Sequence, residues 1–220
     1  RRSSDLTTFG FGAGIFFFSY ALSQLPANVM FTRLGARRWV FVILAVWGLV
    51  SAGNAFVRGP LSFYTLRFLL GVAEAGFFPG MIFYLTLWFP QAYRARFTAM
   101  FMASQQLAFI VGGPLSGFVL GLDGVGGLHG WQWLFLIEGL PACLLAFAVL
   151  KFLPDGPAQT PWLSAEEKTF VTSRLASDGA ESRRDLRAAL RDPRIVLLGL
   201  AFLGLNAGAY GVGLWLPQIV

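Results

Sequence analysis

The sequence predicts an all-α membrane protein built as a bundle of long apolar helices. Three observations carry that prediction. Hydrophobic types make up 56% of the 220 residues and charged types only 13%, with a mean hydropathy of +0.64; a soluble domain is about one-quarter charged. Six stretches, about 9–31, 39–57, 61–89, 97–120, 131–153 and 195–220, reach the roughly 20 apolar residues that a spanning helix needs. Their apolar residues run around every face, unlike the single stripe of a surface helix. None alternates in the ten-residue pattern of a membrane β-barrel strand.

Each boundary has a local cause. The first span runs into Leu34-Gly35-Ala36-Arg37-Arg38, a glycine-bearing basic turn. Arg58-Gly59-Pro60 divides the second span from the third, with glycine for the loop and proline for a first helical turn. Gln91 to Arg96 reads as a polar connector and Asp123 to Gly130 as a glycine-rich one. Pro79 is placed to kink the third span. A long polar segment, about 154–194, follows the fifth span. In it, Ser164 and Glu167 have capping-box spacing, and Phe170, Val171 and Leu175 form an apolar strip behind them. That pattern suits an amphipathic helix at the membrane face, while Ser177 to Arg191 reads equally as a solvated charged linker. Asp192-Pro193 supplies an N-cap and a first-turn proline for the last span.

Basic residues set the orientation. If the chain starts outside, the inner connectors hold thirteen of the seventeen, from Arg33, Arg37, Arg38, Arg94 and Arg96 to Lys151 and the long polar segment. The positive-inside rule then puts that segment in the cytoplasm. An outside start without a signal peptide leads us to expect a helix upstream of residue 1, and the apolar run at Val220 leads us to expect more beyond it. The net charge of +6 is accounted for by these inner loops, so a nucleic-acid partner is not expected and the bilayer is.

Ionisable groups at membrane depth default to function. Three qualify: Arg67, Glu74 and Glu138. Arg67 and Glu74 are seven residues apart, nearly two helical turns, so they share a face with Gly71 between them. A guanidinium offers a planar fork to both oxygens of a carboxylate. A carboxyl at membrane depth can carry a proton. Together they suit an organic anion and a proton; the bland alternative is an ion pair that only fixes packing. Glu138, near the outer end of its helix, reads as a cap or a local pairing group. Tyr20, Gln105, Asn206 and Tyr210 are candidates for lining a polar cavity, the last two at i and i+4 on one face. One histidine, His129, and one cysteine, Cys143, give no support to a metal site, a disulfide or a histidine-based triad. No cofactor is expected.

Longer motifs point to a family. Pro26 through Arg38 resembles the loop between helices 2 and 3 of the major facilitator superfamily: Gly35, Arg37 and Arg38 fit its cytoplasmic gating motif, and Thr32 stands where aspartate is usual. Leu66 through Gly80, then Trp88-Phe89-Pro90, Arg94 and Trp131 through Gly139, are similar to the anion:cation symporter family within that superfamily, as is Trp215-Leu216-Pro217. Bacterial permeases for phthalate, tartrate and sugar acids are the nearest in flavour. Gly113 through Gly117 resembles part of an antiporter motif, with Phe109 where a glycine is expected, and reads as helix packing.

The resemblance implies helices 2 to 7 of a twelve-helix transporter. Residues 1–153 would be the rest of the N-terminal half, 154–194 the cytoplasmic linker, and 195–220 the incomplete helix 7. It implies that Arg67 meets the anionic substrate and Glu74 couples protons. The function expected is uptake of a small organic carboxylate with protons, by a multi-pass protein of a bacterial inner membrane, with no oligomer indicated. An exchanger or a non-transporting sensor on the same fold is the alternative. A membrane-embedded enzyme would need a nucleophile–base pair or a metal at membrane depth, and the one histidine sits in an outer loop.

Overall fold

The computed structural model describes the backbone of residues 2–180 and 191–219, and side chains for 7–177 and for 191–213 apart from 206. Arg183, Arg184 and Arg187, with most of the expected charged linker, lie outside the described residues. Eight α-helices carry the described chain: α1 (Arg2–Leu34), α2 (Ala36–Gly53), α3 (Pro60–Glu74), α4 (Phe77–Trp88), α5 (Gln91–Leu120), α6 (Gly130–Phe152), α7 (Ala165–Ala180) and α8 (Pro193–Ile219). Short 3-10 turns sit at Asn54–Phe56, Val125–Gly127 and Pro157–Gln159. The chain divides into two compact units, residues 1–175 and 176–220.

Five stretches among the described residues are long and apolar enough to cross a bilayer: Ala36–Phe56, Pro60–Trp88, Gln91–Leu120, Gly130–Phe152 and Pro193–Gly213. The sequence led us to expect six. The sixth is α1, a 33-residue helix whose first side chains lie outside the described residues. Small residues along it pack on α3. A Cβ on Gly12 would strike the Phe63 ring of α3, and Ser19 is fully buried.

Two boundaries differ from the sequence reading. Gln91 to Arg96 is not a connector but the opening turns of α5, since only Phe89 and Pro90 separate it from α4. The polar residues there lengthen the helix beyond its apolar stretch rather than ending it. The third span breaks at Ala75 and Gly76, short of Pro79. Proline has no N–H to donate four residues back and its ring crowds that carbonyl, here the one of Ala75. Arg67 and Glu74 therefore stay on one unbroken helix, α3.

Within the first unit, α2 packs most extensively on α6, and α1 on α3. Lipid tails are as apolar as leucine, so helix pairs in a bilayer gain from close contact at small residues rather than from apolar burial. The α2–α6 crossing is built that way. A Cβ on Gly48 would sit 2.6 Å from Cys143 Sγ and 2.7 Å from the Gly139 carbonyl. One on Gly139 would sit 2.7 Å from the Gly48 carbonyl and 2.8 Å from the Ala52 nitrogen. Gln132 Nε2 ties the same pair by donating to Ala55 O at 2.6 Å. Outward-facing side chains are large and apolar, among them Phe109, Phe118 and Leu144.

The expected caps are present. Ser164 N donates to Glu167 Oε2 at 2.8 Å, and Glu167 N to Ser164 Oγ at 3.2 Å. Asp192 Oδ1 accepts from Arg194 N at 2.9 Å at the start of α8. Behind the first cap, Val171 and Leu175 are half-buried and Phe170 is exposed.

Two predictions follow from these contacts. Gly139→Ala forces backbone against backbone and should cost about 1–3 kcal/mol by overpacking, more than the roughly 1 kcal/mol of helix propensity it gains. The Tm of the full-length protein in detergent should fall. Gly156→Ala, at an extended position with open space around it, should leave Tm unchanged. The Ser164 backbone N–H, and then its hydroxyl, hold the Glu167 carboxyl below its usual range. The cap is therefore complete above the ordinary carboxylate range and is lost as pH falls through the lowered value. Hydrogen exchange in the first turn of α7 should speed up on acidification, and Glu167→Gln should abolish that dependence.

Candidate functional site

The α3 helix is fixed at its start. Ser62 Oγ accepts from the backbone nitrogens of Arg58 and Gly59, both at 3.2 Å, and donates to Gly59 O at 2.8 Å. Proline at the first position costs nothing, because that N–H has no helical partner. Two turns on, the Arg67 guanidinium carbon lies 5.1 Å from the centroid of the Phe63 ring. Its Nε is buried and has no hydrogen-bond partner. That donor is held away from water on an aromatic face, with its bonding capacity unspent.

Glu74 closes the same helix and is half-buried. The Trp47 side chain of α2 lies within hydrogen-bonding reach of its carboxyl. Among the described residues, no ion pair joins it to Arg67. The packing ion pair considered from sequence is therefore not what holds these residues.

Gly71 lies between them, and the space beside it is filled by a neighbour. A Cβ there would collide with Ser19 Oγ and Phe16 O, and would lie 3.1 Å from Tyr20 N. Ser19 in turn donates to Phe16 O at 2.9 Å, so its hydroxyl is satisfied inside α1. The glycine thus brings the backbone of α1 onto α3, and Tyr20 with it, half-buried and beside the Phe16 ring. Gln105 is exposed on α5, a helix that meets α4 and α6. Tyr210 is exposed on α8 in the second unit, and the Asn206 side chain lies outside the described residues.

The basic loop after α1 has a structural partner that sequence reasoning missed. Gly35, at φ +81°, takes the cap position of α2, where it has no side chain to cap with. Asp155, just past α6, does so instead: its Oδ1 accepts from Arg37 N at 2.8 Å. A Cβ on Gly35 would lie 2.7 Å from that oxygen, so glycine is needed twice over, for its φ and for its size. Arg37 Nε also donates to Leu153 O at 2.7 Å, and the buried Tyr84 donates from its hydroxyl to Pro154 O at 2.8 Å. Arg38 is exposed, and Thr32 only donates to Val29 O of its own helix. A carboxylate at a helix N-terminus also meets the positive end of the dipole. The available signal was a glycine at a cap beside a lone aspartate after Pro154; for Trp47, it was an indole N–H at membrane depth that needed an acceptor.

Asp155→Ala should remove that cap and cost about 0.5–2 kcal/mol. Amide exchange at Arg37 and the rest of the first turn of α2 should accelerate in the full-length protein, while Asp155→Asn should retain most of the protection.

The family model described as Major Facilitator Superfamily matches residues 3–220. The chain is 46% identical over 216 residues to a quinolone resistance transporter of Acinetobacter baumannii, covering 96% of this chain and 50% of that protein. It is 46% identical over 217 residues to a putative tartrate transporter of Agrobacterium vitis, covering 97% and 48%. To the putative metabolite transport protein NicT of Pseudomonas putida it is 42% identical over 216 residues, covering 96% and 49%. The chain thus spans about half the length of these relatives, which are named as transporters and not as enzymes. With the helical bundle described above, these matches establish that the chain belongs to the Major Facilitator Superfamily.

Proposed function

We propose that the full-length protein is a secondary active transporter that takes up a small organic carboxylate together with protons by alternating access. The observation that carries this reading is Arg67, whose Nε is buried and unpartnered while the Glu74 carboxyl lies beside Trp47. A half-buried guanidinium with one unpartnered donor can receive an anion, and its fork suits a carboxylate. Glu74, two turns along the same helix, supplies the proton site. Tyr20, whose backbone nitrogen lies against Gly71, is a candidate to join them. Gln105, exposed on α5, is a further candidate to meet the substrate, and α1 is the sixth crossing helix in this arrangement. Gly35 and Arg37, held by Asp155, with Arg38 exposed beside them, form the gating loop at the cytoplasmic end. The relatives named for tartrate and for a metabolite support an organic substrate. A multi-pass location in a bacterial inner membrane suits both the bacterial relatives and the basic inner loops.

In the proposed cycle, protonated Glu74 leaves Arg67 to the carboxylate, and release of the substrate inside lets the proton leave. Proteoliposomes of the full-length protein with an internal pH dye, challenged with tartrate, sugar acids and aromatic carboxylates, test this. Internal acidification should accompany uptake of one of these acids. Arg67→Ala should weaken binding of that acid about 10- to 100-fold, the usual worth of charge-assisted hydrogen bonds. Glu74→Gln should keep exchange and lose pH-driven accumulation. Unaltered affinity in the first variant, or unaltered accumulation in the second, would remove that residue from its role. Uptake without proton movement in the wild type would favour exchange.

A further inference from the structure

The ends of α4 and α6 carry aromatic and cationic side chains that the proposed cycle does not use. Helix α4 closes at Trp88 and α6 at Lys151 and Phe152, each end closing a stretch long and apolar enough to span a bilayer. Such ends mark the level at which hydrocarbon gives way to headgroups. The Trp162 ring lies nearly parallel to that of Trp88, at 11° and 6.0 Å between centroids. The stack holds the chain at that level after α6 has closed, and α7 starts from there. Trp162 is 62% exposed, and Phe170, on the second turn of α7, is 63% exposed. Val171 and Leu175 are half-buried, so Phe170 is the large apolar side chain that this helix turns outward.

Three features suit this surface to lipid. It continues the apolar outer side of α6: Phe152, 70% exposed, stands seven residues from Leu145, 54% exposed, and so on the same face. Each exposed phenyl ring carries a cation. Lys151 Nζ lies 5.5 Å from the centroid of the Phe152 ring, and the Arg174 guanidinium carbon lies 5.7 Å from that of Phe170. That pairing lets a ring enter the apolar boundary while its charge stays at the level of the phosphates. Indole rings favour the same level, and the Trp88–Trp162 stack supplies two. Glu166 and Glu167 stand in the first turn of α7, where the positive end of the helix dipole offsets their charge. Glu167 is also engaged by the Ser164 cap.

We infer that Trp162 and Phe170, with Lys151 and Arg174, form a binding surface for anionic phospholipid in the leaflet that meets the ends of α4 and α6. The first two turns of α7 lie on that leaflet. This surface depends on the bilayer and not on the transport cycle proposed above.

The test uses full-length protein in phosphatidylcholine vesicles with and without phosphatidylglycerol. Nitroxide labels are placed on F170C and on T172C, the latter on the opposite face of α7, in protein otherwise free of cysteine. With phosphatidylglycerol present, the label at 170 should be relaxed by dissolved oxygen and shielded from a water-soluble nickel complex, and the label at 172 should show the reverse. Nickel access at 170 equal to that at 172 would mean a solvated helix. Shielding of 170 from both reagents would mean that protein covers it. Either result overturns the proposal. Native mass spectrometry of unlabelled protein gives a second measurement. Phosphatidylglycerol should be retained over phosphatidylcholine, and K151Q and R174Q should each lower that preference about five-fold. Equal retention of the two lipids by the wild type, or an unchanged preference in both variants, would overturn it as well.

Discussion

The missing side chain at position 71 is the constraint on which the rest of this unit depends. With a Cβ there, α1 could not bring Phe16 O and Ser19 Oγ onto α3. Hydrophobic burial offers little to drive helices together inside a bilayer, so close backbone approach has to supply the contact energy. The same solution recurs where Gly48 and Gly139 cross between α2 and α6, and where Gly76 makes room for Trp39 and Ala27. What sets Gly71 apart is its place between Arg67 and Glu74. The contact that joins the two helices therefore falls between two ionisable groups, with the Tyr20 backbone beside it.

That arrangement resolves a conflict between the two charges. Sharing one face, they invite an ion pair, which would neutralise both and leave nothing for a ligand. Each instead has an aromatic neighbour: Phe63 lies under the guanidinium, and the Trp47 side chain lies within hydrogen-bonding reach of the carboxyl. An aromatic face is a weaker partner for an arginine than a carboxylate is, so Arg67 stays available. An indole N–H is a donor only, so beside Glu74 it can satisfy a carboxyl oxygen without adding a charge.

Composition and pattern made the bundle legible, because spanning helices must satisfy their backbone internally and must be apolar on all sides. The caps at Ser164 and Asp192 were legible for a local reason: donor and acceptor lie within three residues of each other. What depends on contacts distant in sequence was not legible. Trp47 and Glu74 are on different helices, and Asp155 reaches Arg37 across 118 residues. The helix break at Ala75 was misplaced for a related reason. Proline acts on the carbonyl four residues earlier, so the sequence marks the cause and the structure shows the effect upstream of it.

The loop between α1 and α2 shows why a departure from a motif need not remove its chemistry. Thr32 stands where an aspartate is usual, and one negative charge is absent from that stretch of chain. The requirement, however, belongs to the helix and not to the motif. The first N–H groups of α2 lack intrahelical partners wherever the acceptor comes from. A glycine at the cap cannot supply one, yet its lack of a side chain lets another segment come close enough to do so. Asp155 uses that opening, and in doing so ties the start of α2 to the end of α6. The two ends that it joins belong to the helix pair already locked by Gly48 and Gly139.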